Sequence, residues 1–418
     1  MGISEEILDH RGRPRVVVTG MGIKCPAGTD LESVWATMRA GRSMAAPIEL
    51  FDASILDVQF ACEVRDFDPV DYFGPKEVRR QDRVTHLGFA AAADALEHAG
   101  ELNADPERCA VVAATGVGGL TTLEENCHIF YERGPSRVSP FFVPMMMPNA
   151  TAGVISMRYG FTGPAFCVST ACAAGANAIG EGVRLLRDGS ADVVVAGGTE
   201  AFTAVTVAAF ARMGALSKRN DDPASASRPF DVDRDGFVIA EGAAFLVLES
   251  LEHALARGAT IHGEIAGYGR NSDAYHITAP SPGGAGAARC MQLAIEDAGL
   301  EPGDIGHVNA HGTSTPLNDA AEAEAIRKVF GDAPPPVTAP KGVLGHMIGG
   351  AGAAEAVVSL LALRDEVLPP TANLTRIGDD IGLDVVYGSE RVIPPKPAIS
   401  NSFGFGGHNA TLVLRRVG

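Results

Sequence analysis

Three residues in this chain pair reactive side chains with settings that suit catalysis. Cys172 lies in Val168-Ser-Thr-Ala-Cys-Ala-Ala-Gly175, where an apolar strand from Ala165 to Ser169 runs through small residues into a helix that extends to Gly189. A thiol at the mouth of a helix meets unpaired N–H groups and the positive end of the helix dipole, which favour thiolate over thiol. The neighbouring Ala and Gly side chains leave room for a substrate. A cysteine among alanines also reads as a small core residue, and the strand-to-helix placement is what points to a nucleophile. His311 follows an apolar strand in Asn309-Ala-His-Gly-Thr-Ser-Thr-Pro316, and His346 precedes a helix in Lys341-Gly-Val-Leu-Gly-His-Met-Ile-Gly-Gly-Ala-Gly352. Both occupy loops, where catalytic groups concentrate. Neither belongs to a paired-histidine spacing, so zinc is not indicated.

Two glycine-rich stretches invite a nucleotide reading and do not support it. Asn401-Ser-Phe-Gly-Phe-Gly-Gly-His-Asn409 lacks the spacing of a phosphate cradle that opens a helix and runs into the apolar strand Ala410-Thr-Leu-Val-Leu. It reads as a turn beside a pocket. Gly116-Val-Gly-Gly119 has no suitably placed acidic ribose ligand after it.

The elements that must hold these residues alternate strand and helix. Arg15-Val-Val-Val-Thr and Cys109-Ala-Val-Val-Ala-Ala-Thr read as buried strands, and Arg83 to His98 has helical spacing ending at Gly100. Such alternation predicts an α/β fold with a mostly parallel sheet under helices. The pattern occurs twice. Ala95-Leu-Glu-His-Ala-Gly100 followed by the strand ending at Gly116 matches Ala294-Ile-Glu-Asp-Ala-Gly299 followed by the strand ending at Gly312; Gly175–Asp188 matches Gly352–Asp365 without a gap. Two matches in the same order predict duplicated α/β halves, against the alternative of chance likeness between Ala-rich helices. The boundary falls near Arg257-Gly-Ala-Thr260, which gives an extension over 1–14 and halves over 15–258 and 259–418. The reactive residues sit at matching strand ends and helix starts, so a pseudo-twofold fold can bring them to one pocket.

The chain has 418 residues, 46% hydrophobic and 20% charged, which permits a large core and excludes wholesale disorder. Its 34 basic and 51 acidic residues give a net charge of −17, which disfavours nucleic acid and anionic membranes as partners. No apolar run is long enough to span a bilayer, and Met1-Gly-Ile-Ser-Glu-Glu does not open a signal peptide. Seven scattered cysteines without a CxxC fit reduced thiols. Together these predict a soluble, cytoplasmic enzyme.

The motifs Ser169-Thr-Ala-Cys-Ala-Ala-Gly175, Asn309-Ala-His-Gly-Thr-Ser-Thr-Pro316, Lys341 through Gly352 and Asn401 through Asn409 closely resemble those of the β-ketoacyl-acyl-carrier-protein synthases, with the elongating type II enzymes of the thiolase-like superfamily as the nearest class. Ala191–Gly198, Ala226–Asp231 and Asp235–Val238 match as well, and the resemblance runs from about Arg15 to Arg416. It implies a thiolase-like fold of layered αβαβα type. It implies decarboxylative condensation of an acyl group on Cys172 with malonyl-carrier protein, with His311 and His346 completing a Cys-His-His set and Lys341 supporting it. By the same resemblance Phe403 is a gate whose N–H, with that of Cys172, forms the oxyanion hole. Thr313 and Thr315 flank the phosphopantetheine arm, Val117 lines the acyl pocket, and Phe202 lies near a subunit interface. Asn309, Glu355 and Asn401 match a structural monovalent-cation site of some members, while no metal and no cofactor are required for the chemistry.

One loop departs from the family pattern: Pro340-Lys341-Gly342 stands where many relatives have Thr-Lys-Ser, which removes a backbone donor and a hydroxyl. The expected partner, acyl carrier protein, is acidic, so docking requires a local basic patch on an acidic molecule. Lys76, Arg79, Arg80 and Arg83 form the favoured cluster, with Arg212, Lys218 and Arg219 a second. The chain is expected to act in fatty-acid or related polyketide elongation as a homodimer, or as the catalytic half of a heterodimer with a chain-length-factor-like paralogue. A non-catalytic chain-length-determining subunit is disfavoured by retention of Cys172, His311 and His346. A thiolase is disfavoured because it would use a second, late cysteine, and the last one here is Cys290.

Overall fold

The computed structural model describes residues 7–417; the opening residues read above for a leader lie outside that range. Ten strands form the central sheet. In the first half these are β1 (Val16–Lys24), β2 (Cys109–Ala114), β3 (Ala165–Val168), β4 (Val193–Glu200) and β5 (Gly242–Ser250). In the second half they are β6 (Gly263–Ser272), β7 (His307–Asn309), β8 (Val337–Thr338), β9 (Ala398–Gly404) and β10 (His408–Arg415). From the middle outward the first half runs β1-β5-β4-β2-β3 and the second runs β6-β10-β9-β7-β8. The pairing senses also repeat: the first two contacts in each half are antiparallel and the last two parallel, so the sheet is mixed and the mostly parallel sheet expected from the alternation is corrected. The duplication expected from the sequence is therefore written into the strand order. The halves meet where β1 pairs antiparallel with β6, Val17 opposite Glu264 and Val18 opposite Gly263.

Strand alternation explains the layers, because successive side chains point to opposite faces. Val194 and Ala196 of β4 pack into a middle core, whereas Val193 and Val195 pack into an outer one. The outer core of the first half is closed by helix α1 (Arg83–Ala99), which ends on Gly100 at φ 71°. The middle core holds α2 (Ala174–Arg187) and α5 (Ala351–Asp365), with the inner faces of both half-sheets around them. The outer core of the second half is closed by α3 (Ala285–Ala298) and α4 (Pro316–Phe330). The result is the expected αβαβα arrangement. Buried α5 is apolar nearly all round, from Ala351 to Leu363, as a helix covered on every side must be.

The repeat reaches single residues. A Cβ placed on Gly20 or Gly22 of β1 would lie 2.1 or 2.0 Å from the carbonyl oxygens of Ala95 and Ala91 in α1. The same atom on Gly267 or Gly269 of β6 would lie 2.2 Å from the carbonyl oxygens of Ala294 and Cys290 in α3. In each half two glycines let one helix settle directly on the strand backbone.

Candidate active site

The nucleophile turn is built from a short strand, a strained residue and a helix start. After β3, Ala171 adopts φ 49°, a left-handed conformation that costs a non-glycine residue stability. A turn of 3-10 helix over Ala171–Ala173 carries Cys172, and α2 begins at once behind it. The second half repeats the device: Ile348 adopts φ 42°, a 3-10 turn covers Ile348–Gly350, and α5 follows. His346 stands just ahead of this turn. Its backbone is held by Val238, whose carbonyl accepts from the His346 N–H at 2.7 Å, and by the Ala240 N–H, which donates to the His346 carbonyl at 3.0 Å. His311 comes from the loop after β7, where Gly312 has φ 41° and Ser314 has φ 68°.

These three side chains line one cavity of about 600 Å3, together with Thr313, Thr315, Phe403, Phe405, Phe210 and Phe237. The imidazoles of His311 and His346 stand edge to face with centroids 5.4 Å apart. Phe237 packs edge-on against His346 at 5.2 Å, and Phe403 against His311 at 5.9 Å. The hydroxyls of Thr313 and Thr315 are 2.9 Å apart.

Behind the cavity a buried ion network orients His311. Lys341 donates to the His311 carbonyl at 2.7 Å, lies 3.2 Å from His311 Nδ1, and is ion-paired with Glu355. An ammonium can only donate, so Nδ1 accepts and the ring proton resides on Nε2. The loop is fastened from the other side by Glu322 of α4, which accepts from the His311 and Gly312 N–H groups at 2.8 Å each. The altered Pro340-Lys341-Gly342 loop keeps its hold: the Ser227 hydroxyl donates to the Lys341 carbonyl at 2.7 Å, and Gly342 allows close contact with Ala372.

Burial sets the protonation states. It holds His311 and His346 well below the ordinary imidazole range, with the Lys341 charge acting in the same direction. Both rings are neutral at physiological pH. Burial also pushes the Cys172 thiol up to about 11, opposed by the Lys341 charge and by the N–H groups of Phe405 and Cys172 itself. The expected thiolate at a helix mouth is therefore corrected. In the resting site desolvation outweighs the helix end, and Cys172 is a thiol.

The turn at Asn401–Asn409 brings a second correction. Phe403 lies within β9, paired with Asn409 of β10, and packs on the outer core of the second half. Phe405 is at the tip of the hairpin, and its N–H is the one directed at the Cys172 sulfur. Strand pairing occupies the backbone of Phe403 and leaves that of Phe405 to the site.

Other expected residues fall elsewhere. Val117 is 53% exposed and Phe202 is buried edge-on against Phe51 at 6.0 Å; neither lines the cavity. Arg83 is not a free surface cation: its guanidinium grips the buried carboxylate of Glu241 at 2.5 and 2.6 Å. Lys76, Arg79 and Arg80 are exposed, with Arg80 over the Phe141 ring at 4.8 Å. Asn309, Glu355 and Asn401 are all buried, and the second Glu355 oxygen has no hydrogen-bond partner. Asn309 donates to Ser400, the Asn401 carbonyl accepts from Thr411 while its amide donates to Glu322, and Glu355 holds Lys341.

Residues 13–254 match the beta-ketoacyl synthase N-terminal domain, and residues 262–375 match the C-terminal domain. The chain belongs to the β-ketoacyl synthase family. As a member it is an acyltransferase of the condensing class, the activity that the four motifs imply. It is 46% identical over 411 residues to a 3-oxoacyl-[acyl-carrier-protein] synthase 2 from Synechocystis sp., covering 97% of this chain and 98% of that protein. The solved ishigamide ketosynthase/chain length factor superposes with a TM-score of 0.92 at 37% identity, over 97% of this chain and 100% of that one. A type II polyketide synthase acyl-carrier protein in complex with its ketosynthase gives a TM-score of 0.90 at 31% identity, with the same coverage.

Proposed function

We propose that this chain transfers an acyl group from acyl carrier protein to Cys172 and condenses it with a malonyl unit on a second carrier, with loss of CO2, in fatty-acid or related polyketide elongation. The observation that carries this reading is the single cavity in which a thiol and two neutral imidazoles converge.

In the first half-reaction the Cys172 sulfur displaces the carrier's phosphopantetheine thiol, and the proton lost by Cys172 is balanced by the thiol released. The oxyanion formed on the way is met by the N–H groups of Cys172 and Phe405. In the second, the malonyl carboxylate leaves as CO2 and its electron pair becomes an enolate. Neutral His311, donating through Nε2, and neutral His346 stabilise the thioester oxygen, which charged rings would not do without changing the proton balance. The enolate carbon then attacks the acyl carbonyl and expels the Cys172 thiolate. Phe405, on the hairpin tip with Gly406 and Gly407 at φ 84° and 74°, takes over the gating role expected of Phe403.

Lys76, Arg79 and Arg80 are the proposed docking cations, joined by Arg212 beside the cavity-lining Met213. Strand β3 is at the edge of the sheet with Ala165 and Phe166 exposed, and Tyr131, Val143 and Met157 expose apolar surface nearby. An unpaired apolar edge favours a second subunit there, either another copy or a paralogue. The likeness to the ishigamide ketosynthase/chain length factor supports a paralogue as the alternative to a second copy. Intact-protein mass spectrometry after loading with acyl carriers, followed by malonyl carrier, tests the proposal. The chain purified alone should gain an acyl mass and lose it on condensation; failure to acylate would refute the homodimer form, and failure beside any paralogue would refute the function.

A further inference from the structure

Glu200 ends β4 and is 3% exposed, yet it does not line the cavity. One carboxylate oxygen accepts from the Thr115 hydroxyl at 2.9 Å. The other accepts from the Gly116 N–H at 2.6 Å and from the Gly349 N–H at 3.0 Å. Gly349 follows His346 by three residues, while Thr115 and Gly116 follow β2 in the other half. Ser169, three residues before Cys172, donates to the Gly116 carbonyl at 3.0 Å. The same carboxylate thus lies in a chain of bonds from the nucleophile turn, through the loop after β2, to the histidine turn.

The seam it bridges has no slack. A Cβ on Gly349 would lie 2.5 Å from the Gly116 nitrogen, and one on Gly198 would lie 2.3 Å from the Gly349 carbonyl. Backbone meets backbone here, with the Ile348 side chain against Gly116, and the Glu200 hydrogen bonds tie the two loops together. Burial raises Glu200 itself to about 7; where it is ionised its charge raises the Cys172 thiol, while the Lys341 charge lowers it.

We propose that Glu200 is a positioning residue for condensation, whose carboxylate fastens the loop after β2 to the turn following His346 and so fixes His346 relative to Cys172. This rests on the condensation reading above. A residue that merely supports the fold would weaken both half-reactions together. A residue that positions His346 while repelling a thiolate separates them.

The test compares wild type with Glu200→Gln, which removes the charge and leaves a weaker, neutral acceptor for the Gly116 and Gly349 N–H groups. Malonyl-carrier decarboxylation should fall by about tenfold to hundredfold, the scale of a small misplacement of a reacting group. Alkylation of Cys172 by iodoacetamide at fixed pH, read as intact mass, should hold or quicken. Should Glu200→Gln fail to fold, Thr115→Val removes one bond to the same carboxylate and should give the same split, smaller in size. Equal loss of both rates, or unchanged decarboxylation, overturns the positioning role. Alkylation needs no carrier, so it still reads Glu200 on Cys172 in a protein that proved unable to condense; a wild type without decarboxylation would count against the proposed function instead.

Discussion

The two halves share a strand order, a pair of helix-contacting glycines and a strained turn, and they use that turn differently. With Gly175 aligned on Gly352, left-handed Ala171 corresponds to left-handed Ile348. Cys172 then corresponds to Gly349, and Ser169 to His346. Aligning Gly116 on Gly312 sets Thr115 opposite His311. One half therefore offers sulfur and keeps its other positions small or hydroxylic. The other half offers two imidazoles and leaves the sulfur position as glycine. The common backbone supplies the place for chemistry, and the side chains at equivalent places were divided between nucleophile and enolate stabilisation.

Removing the first half's contribution should have the largest effect. Cys172→Ser should lower acyl-enzyme formation by about 10⁴-fold or more, the scale on which loss of an enzyme nucleophile acts. Intact mass after incubation with acyl carrier measures this, and an undiminished adduct would remove the nucleophile from the first half. Next come His311→Ala and His346→Ala, which should each slow malonyl decarboxylation by about 10²-fold or more while Cys172 acylation suffers less. Acylation collapsing with decarboxylation intact would invert the division of labour.

A third comparison uses pH. Burial raises Glu355 from the ordinary 4.5 to about 7. Between those values the native state keeps a proton that the unfolded chain has given up, so its stabilising share is present below 4.5 and lost as pH rises through about 7. The stability of wild type relative to Glu355→Gln should therefore decline between about pH 5 and about pH 8. Buried His311 and His346 act in the opposite direction in both proteins and cancel in the difference. Urea midpoints at the two pH values measure it, and a difference that grows with pH would reverse the assignment. The smallest effect belongs to the surface. Exposed ion pairs are worth about 0.2–1 kcal/mol each, so reversing Arg79 and Arg80 should raise the KM for acyl carrier protein by about twofold to thirtyfold. A bare pantetheine thioester should react as before; equal losses with both substrates would mean damaged folding.

Cys172, His311, His346 and Lys341 were legible because each sits in a short motif whose neighbours announce a strand end or helix start. The duplicated fold was legible in two helix matches, and the strand order carries it further than the sequence could. Phe403 and Phe405 were not separable by composition, since both precede glycine; only the pairing of Phe403 with Asn409 decides which one reaches the turn. Arg83 read as a surface cation because its partner Glu241 lies far along the chain. Cys172 read as a thiolate because a helix mouth is visible in sequence and the depth of burial is not. Glu200 and Glu322 were missed, although a carboxylate closing an apolar strand and one within an Ala-rich helix were signals that burial would need answering.

The middle layer has a consequence for how such a molecule arose. α2 and α5 are each covered by both half-sheets, in a core to which both halves contribute. A single ancestral half would have carried a broad bare apolar face, with no second sheet to cover its helix. A doubled chain meets within one molecule a need that a single half could meet only by pairing with its own copy.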